Sequence, residues 1–560
     1  MDLNIRIAGA AGQGVETTGD LLVQAFATQG LYVFSTQTYM SRIRGGLNWY
    51  DIRIADRELF SGREQVDLLL ALTEEALDWL RKDIADGGIA LYNGADGPAA
   101  DSPPGLIAVD LSAVAKEASG SPIMANTVAA GAIFALLGYD LTVLEQDLRA
   151  EFQRKGDEVV QANLACARKG SELVQSSAGK LKPPAPADAP NAICSGNEAV
   201  GLGAATTGVK FATGYPMTPS TGVLTFLAQV ADQYGLVVEQ AEDEIAAINM
   251  VCGATYAGVP AMTTTSGGGF ALMVEGLALS GMLELPVFIF LGQRPGPATG
   301  LPTRTAQQDL LFALHAGHGE FPRALFAPGS PQQCYDLARH GLEIAHKHQS
   351  PVILLSDQFL ADMRKNCPGL DTSYRPINRH ILDDPPDNYL RYAITESGVS
   401  PRAIPGSNAY IVVDSDEHGE DGHITDHLPT RVALQDKRMR KLDGMLADAL
   451  PPDYYGPKEA QHLLICWGST HGPCREAVDL INDDGGSTAM LHFSQVWPLQ
   501  ADVIRDAIGQ RQRVTSVECN QTGQFASLLR RIGARWECDL LTRYDGLPFT
   551  GEEIARRLSR

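Results

Sequence analysis

The nine cysteines of this chain never pair at C-x-x-C spacing; they stand at 166, 194, 252, 334, 367, 466, 474, 519 and 538. The chain therefore shows no iron–sulfur ligand run of its own. An odd, scattered set predicts free thiols in a reducing cytoplasm. Positive charge is also scarce. Lys and Arg number 45 against 67 Asp and Glu, leaving a net charge of -22. Nucleic acid needs a basic footprint, so that class of partner is excluded. A basic protein partner, such as an electron carrier, is compatible with this charge. Long hydrophobic runs are missing. The most apolar window, 270–291, carries Glu275, Glu284 and Pro286, and reads as helix plus strand instead of a membrane span. The opening MDLNIRIAGAAGQGV enters a strand directly, without a secretory leader. The dinucleotide fingerprint is absent too. Gly9, Gly12 and Gly14 fall in G-x-x-G-x-G order, and Gln37 and Thr38 stand where an acid should meet a ribose.

Hydrophobic residues make up 44% of the 560, enough for several cores. The pattern is α/β throughout, and it predicts three α/β domains. Residues 1–177 form the first: a strand, a glycine turn, the amphipathic helix after Gly14, and strands near 47–54 and 65–72. The 126–137 helix is rich in Ala and Gly and should pack closely. Residues 178–192 (AGKLKPPAPADAPNA) are a semi-extended linker. Residues 193–365 form the second domain, 366–457 an irregular connection, and 458–560 a third domain of alternating βα units.

The richest stretch is GQRPGPATGLPT, 292–303. It follows PVFIFL, a buried strand, so it lies where open α/β sheets bind ligands. Arg294 on this Pro/Gly scaffold suits a carboxylate, or it is a surface cation paired with a nearby acid. Tyr215-Pro216 and Thr218-Pro219 stiffen a second loop. Glu242, Asp243 and Glu244 open a helix, where acids also serve the dipole. The N-terminal glycine turn is either an anion site or a plain βα turn. Ser41, Arg42 and Arg44 precede Gly45-Gly46 and either face an anion or form a solvated turn. The Asp/Glu/His-dense 411–427 stretch lacks EF-hand and H-E-x-x-H spacing. It reads as a solvated or partner-contacting loop before a metal site.

Three of these segments, YPMTPS (215–220), EDEIAAINMVCGA (242–254) and RPGPATGLPT (294–303), resemble thiamine-diphosphate-dependent 2-oxoacid:ferredoxin oxidoreductases. The likeness is to the alpha subunit with a gamma domain fused at its N-terminus. GAAGQGV and RIRGG resemble that gamma domain, and VECNQTGQFASLLR (517–530) resembles the end of the final domain. The resemblance implies a gamma-type domain, a pyrimidine-binding thiamine diphosphate domain and a transketolase-C-terminal-like domain. It implies a beta subunit that holds Mg2+, the diphosphate and the [4Fe-4S] cluster, in an alpha2beta2 heterotetramer. Ferredoxin, coenzyme A and a 2-oxoacid complete the expected partners, with membranes and nucleic acid excluded.

By motif match, Glu244 would hydrogen-bond the cofactor's pyrimidine nitrogen and promote removal of the thiazolium proton. Tyr215, Pro216 and Thr218 would line the cofactor. Thr218 and Arg294 would meet the oxoacid's carboxylate and carbonyl, and Thr303 would line the same pocket. Ser41, Arg42 and Arg44 would reach coenzyme A or the substrate's distal end. The fused layout, IRGG and the 418–425 stretch most resemble 2-oxoglutarate enzymes. A second substrate carboxylate would then want Arg42, Arg44 or Arg304. Pyruvate and branched-chain oxoacids stay open, as does the reaction's direction. A non-catalytic scaffold is the rival from another class; it would not need Glu244, Thr218 and Arg294 together.

Overall fold

The computed structural model describes residues 1–40, 46–94, 105–177, 179–533 and 537–559. Ser41, Arg42 and Arg44 lie outside the described residues. The chain divides into two compact units: Met1–Cys194 with Met363–Gly369 and Thr550–Arg556, and Ser195–Asp362 with Leu370–Phe549 and Arg557–Arg560.

The first unit is built on an eight-stranded sheet. Its order is Leu106–Val109, Ile84–Asn93, Val66–Ala71, Asp2–Ala10, Leu47–Ala55, Tyr32–Thr38, Arg364–Asn366, Ile193–Ser195. Asp2–Ala10 alternates apolar and polar side chains, yet both of its faces are covered. The polar face is neutralised instead of solvated: Arg6 is buried and pairs with Asp51 at 2.6 Å and Asp83 at 2.7 Å. The Ala125–Leu137 and Asp157–Leu173 helices cross with their backbones in near contact. A β-carbon at Gly131 would strike the Ala167 carbonyl, and one at Gly170 the Val128 carbonyl. The glycine turn leads from the first strand into the Val15–Thr28 helix, with Gly14 in the left-handed region at φ 76°.

Residues 179–192 form no helix or strand, and the backbone N–H groups of Ala187 and Ala189 donate to the Gly30 carbonyl. The Ile193–Ser195 and Arg364–Asn366 strands then join the first sheet. Asn366 ties them in, accepting from the Val33 N–H and donating to Leu31 and Pro190. One expectation fails here. Cys194 and Cys367 form a disulfide, so the cysteines are not all free thiols. The two stand 173 residues apart, and their approach depends on strand pairing that spacing does not reveal.

The second unit holds two sheets. The larger runs Gln495–Trp497, Ala324–Phe326, Val352–Asp357, Phe288–Gln293, Ala261–Ser266, Phe211–Gly214, Val237–Gln240. All its neighbours are parallel except the first pair. The central strands Phe288–Gln293, Val352–Asp357 and Ala261–Ser266 are buried along their whole length, as the interior of a parallel sheet requires, while the edge strand Val237–Gln240 is largely exposed. The five-stranded sheet runs Asp453–Tyr455, Thr488–Phe493, His462–Trp467, Arg513–Glu518, Asp539–Thr542.

The 366–457 region is irregular up to its helix, Leu428–Ala447, which starts earlier than its apolar period suggests because Pro429 can occupy the first turn. The helix is anchored through charge. Lys437 donates to the wholly buried Glu284 at 2.6 Å, and Lys441 also pairs with Glu284. The two ammonium groups hold the Glu284 carboxyl well below the usual range despite burial, and burial pushes Lys437 down to about 7. In the acid-rich 411–427 stretch, Glu417 pairs with Arg431 and Arg438, and the Glu420 carboxylate accepts from the Ile394 N–H. These acids stitch the region to itself.

Candidate active site

The strand order of the second unit's parallel sheet reverses beside Phe211–Gly214. From Phe211–Gly214 the chain moves to the edge strand Val237–Gln240, then returns to the other side as Ala261–Ser266. A crevice opens outside the carboxyl ends of strands at such a switch point. Three loops meet this edge: Tyr215–Ser220, the start of the Glu244–Tyr256 helix, and the start of the Gly267–Met282 helix. The 294–303 loop leaves the next strand along.

Glu244 opens its helix but does not cap it. The Asp243 side chain does that, accepting from the Ala246 N–H at 2.7 Å. Glu244 is 3% exposed, and its Oε1 has no hydrogen-bond partner. An acid serving only the helix dipole would be solvated. A buried carboxylate oxygen without a donor is costly unless a ligand supplies one. Glu244 packs closely on Gly269: a β-carbon there would run into Glu244 Oε1 and the Thr265 hydroxyl. The hydroxyls of Thr264 and Ser266, on the adjoining strand, are buried without partners as well. The arrangement leaves Glu244 Oε1 as an acceptor for a ligand's donor.

Arg294 is half-buried at the end of its strand. Its Nη1 donates to the Thr218 carbonyl at 2.8 Å, so the two stiff loops touch through these two residues. Gly292 permits the approach, since a β-carbon there would lie 2.8 Å from Pro219 Cγ. Among the described residues the guanidinium makes no other hydrogen bond, which leaves most of its fork for a ligand. Burial lowers its affinity for its proton, and Asp309 opposes that. The loop closes on itself where the Leu301 N–H donates to the Pro295 carbonyl at 3.0 Å. Thr303 and Arg304 follow, both partly buried. Tyr215 and Pro216 stand exposed on the facing loop. No hydrogen bond joins Glu244 to Thr218 or Arg294 among the described residues; they share an edge, not a contact.

Sequence reasoning missed the layer behind. Gln293 accepts from the Asp309 N–H at 3.0 Å, and Gln308 donates to the Arg294 carbonyl at 3.1 Å. Gln524 donates to the Gln308 carbonyl at 2.7 Å, and the Cys519 N–H donates to Gln307 at 3.0 Å. The Glu518 carboxylate in turn accepts from the Phe525 and Ala526 N–H groups at the next helix's start. The motif at 517–530 therefore braces the 305–311 segment. Its polar spacing was the available signal, but its target lies more than 200 residues away.

Comparison with known proteins agrees with this geometry. A family model described as "Pyruvate flavodoxin/ferredoxin oxidoreductase, thiamine diP-bdg" matches residues 202–437, and "Pyruvate ferredoxin/flavodoxin oxidoreductase" matches 4–173. The alpha subunit of a Sulfolobus 2-oxoacid:ferredoxin oxidoreductase is 30% identical, covering 100% of this chain and 96% of its own. The chain belongs to the 2-oxoacid:ferredoxin oxidoreductase alpha subunits. The Mycobacterium tuberculosis 2-oxoglutarate oxidoreductase subunit KorA is 30% identical over 99% of this chain and 90% of its own. The solved 2-oxoglutarate:ferredoxin oxidoreductase from Magnetococcus marinus, with 2-oxoglutarate, coenzyme A and succinyl-CoA bound, superposes with a TM-score of 0.92. It is 34% identical and covers 100% of this chain and 99% of that one.

This alpha subunit is thus part of a multi-subunit oxidoreductase with ferredoxin as acceptor, and 202–437 is its thiamine-diphosphate-binding region. Its α/β fold agrees with that of the relative. No helix among the described residues is long and apolar enough to cross a membrane. The close packing of Glu244 on Gly269 gives a direct prediction. Gly269→Ala should weaken thiamine diphosphate binding roughly tenfold or more and lower stability by about 1–3 kcal/mol, as overpacking does. Titration calorimetry and thermal unfolding of the assembled enzyme check both.

Proposed function

We propose that this chain is the fused gamma–alpha subunit of a 2-oxoglutarate:ferredoxin oxidoreductase. The reaction interconverts 2-oxoglutarate, coenzyme A and oxidised ferredoxin with succinyl-CoA, carbon dioxide and reduced ferredoxin. The carrying observation is the half-buried Arg294 fork, held by the Thr218 carbonyl at the switch-point edge and otherwise open to a carboxylate. Full-length likeness to the Magnetococcus marinus enzyme supports the choice of oxoacid. Arg304, ten residues on and partly buried in the same loop, is the described candidate for the distal carboxylate. Ser41, Arg42 and Arg44 keep their proposed place near coenzyme A or that carboxylate.

Thiamine diphosphate, when bound, supplies the carbon nucleophile and the electron sink for decarboxylation. Glu244 would hold the proton at the pyrimidine ring nitrogen. Arg294 would fix the reacting carboxylate, whose charge disappears as carbon dioxide leaves, so its hold on the substrate is lost with the product. Thr218 and Thr303 would orient the oxoacid. A beta subunit would supply Mg2+ and the [4Fe-4S] cluster, in an alpha2beta2 assembly in the cytoplasm. Ile245 and Met250 on the helix of Glu244, and Leu272 on the Gly267–Met282 helix, expose apolar surface, which supports cover by such a subunit.

The test is anaerobic co-expression with the beta-type chain and coenzyme-A-dependent reduction of a viologen dye. 2-Oxoglutarate should exceed pyruvate at least tenfold in kcat/KM. The archaeal relatives, named for 2-oxoacids in general, favour a broader range as the second reading. Equal rates with several oxoacids would select it. No reduction by the fully loaded assembly would favour a scaffold.

A further inference from the structure

Asp309 belongs to no motif recognised in the sequence, yet it is bound to Arg294 by a reciprocal clamp. Gln293, next to Arg294, holds the Asp309 N–H; Gln308, next to Asp309, holds the Arg294 carbonyl. The clamp fixes two side chains of opposite charge without letting them meet. They act on each other electrostatically, but no ion-pair contact joins them among the described residues. Asp309 Oδ2 is buried without a hydrogen-bond partner. The carboxyl is pressed against the first turn of the Gly267–Met282 helix. A β-carbon at Gly267 would lie 2.8 Å from its Cγ and 3.0 Å from its Oδ1.

We propose that Asp309 is a positioning residue that couples capture of the substrate's carboxylate by Arg294 to uptake of a proton from solvent. The inference rests on the functional reading above. The residues against Asp309 and its neighbour Gln308 are Gly267, Gln293 and Gln524, all uncharged; the titratable Glu244 packs on the same helix turn through Gly269. Arg294 is the charged group acting on it among the described residues. Burial raises Asp309 to about 6 although Arg294 pulls the other way. A substrate carboxylate on Arg294 would absorb the field that keeps Asp309 ionised and add a like charge beside it. Both effects favour the protonated acid. Above pH 6 the free enzyme must gain a proton to bind, so KM should rise with pH. When carbon dioxide leaves it is neutral and the bonding electron pair stays behind on the substrate carbon, so the carboxylate charge facing Arg294 is gone and the proton returns to solvent.

The experiment uses the full chain assembled with its beta-type partner. KM for 2-oxoglutarate is followed by dye reduction from pH 6 to 8, where both substrate carboxyls stay ionised. Wild-type KM should climb roughly tenfold per pH unit. Asp309→Asn should flatten that slope, so that its KM at pH 8 lies roughly tenfold or more below wild type. Asp309→Glu should keep a slope. Calorimetry with the unreactive dicarboxylate oxalylglycine, in buffers of different ionisation heat, should show proton uptake at pH 7 in wild type and none in Asp309→Asn. A bracing role alone would raise KM equally at every pH; parallel slopes, or equal proton counts, would overturn the inference. No reduction with any 2-oxoacid would overturn the functional reading, and the proton counts would then decide the inference separately.

Discussion

Replacing Glu244 by Gln is expected to stop turnover while the protein folds and assembles. The two side chains have nearly the same shape, so the close fit against Gly269 and Thr265 survives. What changes is the ability to hold a proton. A carboxylate accepts at Oε1 and shares a proton with a weakly basic ring nitrogen; a carboxamide cannot. Positioned acid–base groups contribute about 10²–10⁴ in rate, and kcat should fall by that factor. Stability should hold, because the side chain keeps its shape and packing against Gly269. The sharper readout is exchange of the bound cofactor's thiazolium proton with deuterated solvent. It should slow with kcat in the variant. Wild-type exchange together with low kcat would remove Glu244 from the proton pathway and leave it a binding contact.

Much of this arrangement could be read from sequence because it depends on local chemistry. PVFIFL before Gly292 is a buried strand on apolar content alone, and the Pro/Gly run after it can only be a loop. Most strands of the three sheets follow local α/β patterns, because period and turn residues act over short distances, but Ile193–Ser195 and Arg364–Asn366 pair in the first sheet and Gln495–Trp497 in the second. What escaped depends on contacts between remote segments. Asp2–Ala10 shows the alternation of a half-solvated strand, but Asp51 and Asp83 allow Arg6 to be buried. Cys194 and Cys367 meet only because the chain returns beside its own linker. Position in the first turn alone leaves Glu242, Asp243 and Glu244 equivalent, and only the motif match singles out Glu244. In the structure the helix start separates them, giving Asp243 the cap and Glu244 the interior. Asp309 has no motif around it; its character comes from Gly267, Gln293 and Gln524, each brought by a different element.

Arg294→Ala should cut kcat/KM for 2-oxoglutarate by about 2–5 kcal/mol, the range for removing one partner of a desolvated charged pair. That is a loss of roughly thirtyfold to several thousandfold. Among the described residues the guanidinium's hydrogen bond is to a backbone carbonyl, so its loss costs the fold little; the assembly should form and bind thiamine diphosphate normally. Arg294→Lys separates charge from shape. An ammonium restores a cation but not two parallel donors, so recovery should be partial. The split between constants identifies what the fork does. If it only gathers substrate, KM rises and kcat stays. If it holds the carboxylate in line for departure, kcat falls with it, because misplacement at the reacting centre is felt in the transition state. Thr218 predicts the second outcome: its carbonyl pins one end of the fork in a fixed direction, which a collecting charge would not need. Single-turnover rates at saturating 2-oxoglutarate measure this directly, and a wild-type rate there would reduce Arg294 to a gathering role.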